Sequence, residues 1–537
     1  MSVRKGFVLL VALSALAFLI ACGGNGPAPV NPTPPPTGGF SNANLNGTYV
    51  FSISGTDVNG ASLAIAGTLI ANGSGTITGG TIDINDAEFT SGSAPGLKLG
   101  SSSYDITVDG RGQTKINLPN NPFGGNSPFT FDFVLQDNSH GYISEFDQNG
   151  TGSGTLDLQS SGTPTGAYAF IFSGVPFANP NSLLATVGNF SVAAGGGITG
   201  TLDGNEVGNL YSSSLSGKVV LGPSPTPSTT FTTSSFSTQT FDVIAIDSTH
   251  LKFIEMDQFA TLSGDAFSEP SSTVPTGTLS FTVTGEGNGV LVTAGGLLVT
   301  DGAGNITSAS NADSNNSNNG PSVAPVGFTG TYAATPSGSA RYVLALTGFT
   351  QGTSYVAYPS TGGLLLLEAD SSGVMVGAAY AQTPGATLGV PDGFALNLSG
   401  ENLGQQTGQP AEIDDIAEFA TASGGNVTGI IDENSAVQTV VSIPLDGQYA
   451  TPSGGRGAIS ASANNGTNGT LEGVLNLTYY PVDSTTFPFI EMDAGQVSTG
   501  VFVLQSSSSS NSAVAKSHAM YVPHPLFHPH SARQKKN

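Results

Sequence analysis

The sequence predicts an all-β chain of four tandem antiparallel domains, and three observations carry that prediction. Four sequence elements recur in the same order with a period of roughly 115 residues, the spacing of a tandem array. Each copy is a series of short alternating runs rich in Val, Ile, Thr, Phe and Tyr, separated by Gly, Asn, Asp and Ser, which is the pattern of strands and turns. No window of helix length holds a 3.6-residue apolar period, and 74 glycines make helices costly.

The chain begins with Arg4 and Lys5, followed by an apolar run from Gly6 to Ala21. That run is shorter than the roughly 20 residues needed to span a bilayer as a helix, and it has the parts of a secretory signal. Leu19-Ile20-Ala21-Cys22 resembles the lipobox of bacterial lipoproteins. The resemblance implies cleavage before Cys22, lipid attachment to it (palmitate among the acyl groups) and a membrane anchor in the cell envelope. Gly23 is not the Asp associated in that class with inner-membrane retention, so the resemblance implies the outer membrane. The expected segments are a signal peptide, 1–21, and a lipidated Cys with a linker, 22–44. The linker is rich in Pro and Gly (Pro27, Pro29, Pro32, Pro34, Pro35, Pro36) and reads as an extended, disordered stalk reaching about 50 Å.

Four β-repeats follow, expected at 45–161, 162–271, 272–389 and 390–506. Each opens on a Gly-led strand, at Gly47-Thr48-Tyr49, Gly166-Ala167-Tyr168, Gly277-Thr278-Leu279 and Gly393-Phe394-Ala395. A Gly-rich hairpin then leads to Asp-x-Asn, at Asp83/Asn85, Asp203/Asn205, Asp313/Asn315 and Asp432/Asn434. A basic residue comes next, Arg111, Lys218, Arg341 or Arg456. Last is Glu-x-Asp, at Glu145/Asp147, Glu255/Asp257, Glu368/Asp370 and Glu491/Asp493. In the first repeat the runs Tyr49–Ser54, Ser62–Ala71, Thr76–Ile84, Tyr104–Val108, Thr114–Leu118, Phe129–Leu135, Tyr142–Phe146 and Thr155–Leu158 give eight strands. Eight strands with short turns suit an up-and-down barrel, which has no open edge. A β-sandwich is the alternative, and a propeller of half-repeats the third choice. The Gly-x-aromatic strand with a later basic residue resembles lipocalin- and avidin-like barrels at two positions per repeat. Those families place Trp where this chain has Tyr, Leu or Ala, so no ligand is carried over.

Between Cys22 and Ala515, 37 acidic residues face 7 basic ones, a net of −30, which excludes nucleic acid as a partner. One cysteine allows neither a disulfide nor a cysteine metal site. Residues i and i+2 of a strand share a face, so Glu-x-Asp offers a carboxylate pair for a cation or for acid–base work. The scarcity of basic residues favours another use. Arg111, Lys218, Arg341 and Arg456 are expected to form structural ion pairs with the Glu-x-Asp of their own repeats. Asp-x-Asn lacks EF-hand spacing and reads as turn capping. Gly195–Gly200 matches G-x-G-x-x-G with no helix after it, so no dinucleotide cofactor is expected. No cofactor, metal or catalytic residue is assigned. The tail, 507–537, with His518, His524, His528 and His530, reads as disordered; a His-rich tract is also a metal-binding composition.

The expected function is non-catalytic: an exported, lipid-anchored array with structural, adhesive or binding roles toward a glycan or an envelope protein. The alternatives are a polysaccharide hydrolase using a carboxylate pair, and a small-ligand carrier using the barrel lumens.

Overall fold

The computed structural model describes residues 39–507 apart from 125–127, 161, 221–227, 234–237, 270–271, 362, 405–409, 436–437 and 464–473. Cys22, the Pro-rich stalk and the His-rich tail lie outside the described residues. The fold is all-β: four closed, eight-stranded antiparallel barrels in chain order.

In the first barrel the strands are Asn46–Asp57, Ser62–Asn72, Thr76–Asp86, Ser102–Ile106, Arg111–Ile116, Phe129–Leu135, His140–Glu145 and Gly150–Leu158. The first strand pairs with both the second and the eighth, which closes the cylinder. An extra strand, Ser93–Lys98, pairs with the third, and Gly320–Pro321 does the same in the third barrel. The other barrels run from Gly166–Gly174 to Ser263–Ser268, Gly277–Gly287 to Gly373–Ala381 and Gly393–Asn402 to Gln496–Leu504.

Eight strands leave an interior wide enough for side chains alone. In the first barrel Tyr49, Phe51 and Ile53 point inward from the opening strand onto Phe129, Phe131 and Phe133. The second barrel is filled by phenylalanine. Phe172 lies 4.8 Å from Phe170 and 5.1 Å from Phe253, ring centre to ring centre, so Phe supplies the bulk that Trp would otherwise give. The third barrel is looser, with an apolar cavity among Phe281, Phe328, Leu344, Phe349, Tyr355 and Leu366. The glycine that opens a repeat has a structural reason. Gly47, Gly166 and Gly277 adopt φ of 139°, 90° and 108°, a region that a side chain disfavours.

An even number of antiparallel strands returns the chain to the end where it came in. Each barrel therefore has a near end, carrying both of its links, and a far end. The Asp-x-Asn and Glu-x-Asp segments lie toward the far end. The first three strands of each barrel pack on the last three of the next: second on third, third on fourth, and fourth on first. The second and third strands of the first barrel touch the seventh of the second, closing a four-membered ring. Head-to-tail contacts of one kind close into a ring when the rotation per step allows it.

Candidate functional site

The recurring polar residues meet at the seams between barrels. Register places the Glu of every Glu-x-Asp opposite a lumen residue: Phe131↔Glu145, Phe241↔Glu255, Tyr355↔Glu368 and Leu477↔Glu491. All four Glu side chains therefore enter the packed lumens and are buried. Burial raises Glu145 and Glu255 well above the usual carboxylate range and lifts Glu368 to about 8. The Asp two residues on sits in the turn and accepts backbone amides. Asp147 takes Thr130 and Asn149 N–H (2.8 and 2.7 Å), and Asp257 takes Thr240 and Phe259 (2.6 and 2.9 Å). Asp370 takes Thr353 and Ser372 (2.6 and 2.9 Å), and Asp493 takes Gly495 (2.8 Å). The Glu is buried on the lumen side and the Asp serves the turn; in the third barrel the Ser372 hydroxyl bridges the two, contacting Glu368 and Asp370 at 2.6 Å each.

The turn's backbone serves the neighbouring barrel. Asn85 donates its amide to the carbonyls of Glu255 and Ala260 (2.6 and 2.8 Å), and Asn205 donates to Glu368 and Gly373 (2.9 and 2.7 Å). Asn315 donates to Glu491, Asp493 and Gln496 (3.0, 2.8 and 2.7 Å). Asn434 donates to Glu145 and Gly150 (2.7 and 3.0 Å), joining the fourth barrel to the first. The Asn of Asp-x-Asn is thus an inter-barrel clamp, and Asn205 also caps its local turn by accepting the Gly208 N–H (2.7 Å). All four clamps join far end to far end, so the barrels point the same way round the ring.

The basic residues also act across seams, and they do not meet the Glu-x-Asp of their own repeats. Arg341 grips Asp203 with Nε and Nη2 (2.6 and 2.8 Å), and the Tyr358 hydroxyl donates to the same carboxylate (2.6 Å). Arg456 holds Asp313 in the same way (2.6 and 2.9 Å), with Tyr480 donating at 2.8 Å. Arg111 places Nη1 on both oxygens of Asp432 (2.8 and 2.7 Å) and Nε on Asp109 (3.1 Å). Lys218 departs from this pattern. It is exposed on strand Asn209–Val220, opposite Gly197 and Thr230, whereas Arg111 and Arg456 each begin the following strand.

Two further groups carried little sequence signal. Between the first and second barrels, buried Lys252 donates to Asp265 (2.9 Å) and lies 4.0 Å from Asp157. His250 contacts Asp265 (2.7 Å) and His140 contacts Asp157 (3.0 Å). Burial pushes Asp157 and Asp265 up, and the neighbouring His and Lys outweigh it, so both are held below the usual range. Between the fourth and first barrels, strand Ala411–Ala422 turns Glu412, Asp414 and Glu418 toward the first barrel, all buried. Thr56 donates to Glu412 (2.5 Å). Burial lifts Glu418 to about 9 and raises the adjacent Glu412 and Asp414. Four acids in twelve strand residues was the available signal, and it reads equally as a solvated face.

No protein-family model matches the chain, and no curated protein matches it. Comparison with solved structures returns transferrin binding protein B from serogroup B Neisseria meningitidis. It is 9% identical with a TM-score of 0.22, covering 72% of this chain and 82% of that one. A mutant of the same protein from Haemophilus parasuis gives 10% identity and a TM-score of 0.20 over 68% and 83%. The intact two-lobed Ap-TbpB gives 10% and 0.19 over 86% and 95%. At these values the likeness carries no argument about what this chain binds.

Proposed function

We propose that the chain is an exported, lipid-anchored, non-catalytic envelope protein whose barrel ring presents its far-end loops to an extracellular glycan or protein. The observation that supports it most is the use of the recurring charged residues. Arg111, Arg341, Arg456 and the Asp-x-Asn residues join barrel to barrel, and the Glu-x-Asp carboxyls lie in packed lumens and turns. That arrangement gives the hydrolase no shared catalytic cleft, and the lumen carrier rests on the apolar cavity of the third barrel alone.

The two ends of the ring also leave together. Phe40 N–H donates to Val108 O (3.0 Å) in a near-end turn of the first barrel, and Asn44 donates to Ser507 O (3.0 Å). Gln505 donates to Asp109 and Leu135 carbonyls (3.1 and 2.8 Å). A stalk rising from Cys22 therefore meets the near-end face, and the far-end loops point away from the membrane. The test pairs Cys22→Ser with protease mapping on intact cells. Wild type should fractionate with membranes and be cut first in far-end segments such as 117–124. Membrane retention of the Cys22→Ser chain would sink the anchor, and first cuts in near-end turns would sink the orientation.

A further inference from the structure

Three of the four seams place a guanidinium on the Asp of Asp-x-Asn. At the seam between the first and second barrels the equivalent residue, Asp83, is buried and accepts only the Gly96 amide (2.6 Å) among the described residues. Asp432 shows what is missing: it takes the same kind of amide, from Ser442 at 2.6 Å, and Arg111 as well. Asn85, two residues along on the same face, is clamped onto the second barrel, so Asp83 is held against that barrel.

The opposing strand of the second barrel, Gln239–Ala245, differs from its counterparts. Counted from the residue opposite the lumen Glu, it offers Ile244 where the third and fourth barrels offer Tyr358 and Tyr480. It offers Asp242 where they have Val356 and Thr478; the first barrel has Asp132 at this position, beside Asp432 and Arg111. Asp242 is buried and its Oδ2 has no hydrogen-bond partner. From Val219 to Leu251 the sequence of the second barrel has no Lys or Arg. The seam thus repeats the carboxylate pair of the fourth-to-first seam, Asp432 and Asp132, without the guanidinium of Arg111 that serves that pair. Burial lifts Asp83 to about 6; burial and then the charge of Asp83 lift Asp242 to about 7.

We propose that this seam binds a hard divalent cation between Asp83 and Asp242, in the place the guanidinium fills at the other three. The donors are carboxylate oxygens without nitrogen or sulfur, which selects calcium or magnesium over transition metals. Two protein carboxylates completed by water make a weak site of the extracellular type, with a Kd of about 0.1–1 mM. The inference does not depend on the lipid anchor.

The test uses the full chain stripped with chelator, titrated with calcium chloride and with magnesium chloride by calorimetry and by thermal unfolding. Wild type should show one-site calcium binding and a Tm rise of about 2–4 °C near saturation. Asp83→Asn and Asp242→Asn should each abolish that response. In chelator each should melt at or above wild type, because two facing carboxylates repel. Absence of a calcium response in wild type overturns the proposal, including the case where the Asn variants melt higher, which would mean a shared proton. A calcium response that survives in both variants overturns it as well.

Discussion

The seam between the fourth and first barrels and the seam between the first and second perform the same task with different means. The first and second barrels are joined covalently by the short link 159–165, so their faces meet at high effective concentration and need little further attraction. That seam does without the Arg–Asp grip. The fourth and first barrels have no such link, and their seam carries the most buried basic residue of the series. The side chains of Arg111, Arg341 and Arg456 are 7%, 19% and 33% exposed. Side chains join every seam, but only between the fourth and first barrels do they act without a covalent link, so the closure depends on them.

The comparison breaks most severely at Arg111. Arg111→Ala leaves Asp109 and Asp432 buried beside Asp132 and Glu418 without the guanidinium that pairs them, and removing one partner of a buried pair costs about 3–5 kcal/mol. With no covalent link at this seam, the ring should open while the barrels stay folded. Small-angle scattering should show a larger radius of gyration with unchanged far-UV circular dichroism. Arg341→Ala should cost less, about 1–3 kcal/mol, and leave the ring closed, since its seam is covalently joined and its guanidinium reaches solvent. Equal opening by both variants would refute the distinction.

A smaller effect is the response to pH. Facing one another at the closure are Glu412, Asp414, Glu418 and Asp432 of the fourth barrel and Asp109, Arg111, Asp132 and Tyr142 of the first. Burial lifts Asp132 to about 7 and Glu418 to about 9, and it raises Asp432 despite Arg111. The closed seam binds these protons more tightly than the open one. Closure is therefore strongest below about pH 4 and weakens as pH rises toward 9. Asp157 and Asp265 at the other seam are lowered, so their contribution is present above the ordinary Asp value and lost in acid. Sedimentation velocity should show slower, more open particles at pH 9 than at pH 5, and Glu418→Gln should flatten that trend. A faster-sedimenting particle at pH 9 would reverse the assignment.

The strands and their fourfold order were legible because hydrophobic alternation and turn residues act locally, as Tyr49, Phe51 and Ile53 against the Gly-rich turns show. The partners of Arg111, Arg341 and Arg456 were not. A tandem repeat makes Glu145 and Asp432 equally regular in spacing from Arg111, and sequence does not say which copy faces which. Asn85 looked like a turn cap for the same reason: its partner carbonyls, Glu255 and Ala260, lie in another barrel. Lys218 was grouped with the arginines as the next basic residue in chain order, although the second barrel has none at that register.

Lys218 therefore gives the smallest expected effect and the finest test of the comparison. It stands exposed on a strand and makes no ion pair among the described residues, so Lys218→Ala should change stability by no more than about 0.5 kcal/mol. Thermal unfolding beside Arg341→Ala measures the difference directly. A loss as large as that of Arg341→Ala would mean that Lys218 reaches the carboxylates of the first-to-second seam. That seam would then have a second cation besides Lys252, and its contrast with the Arg-held seams would fail.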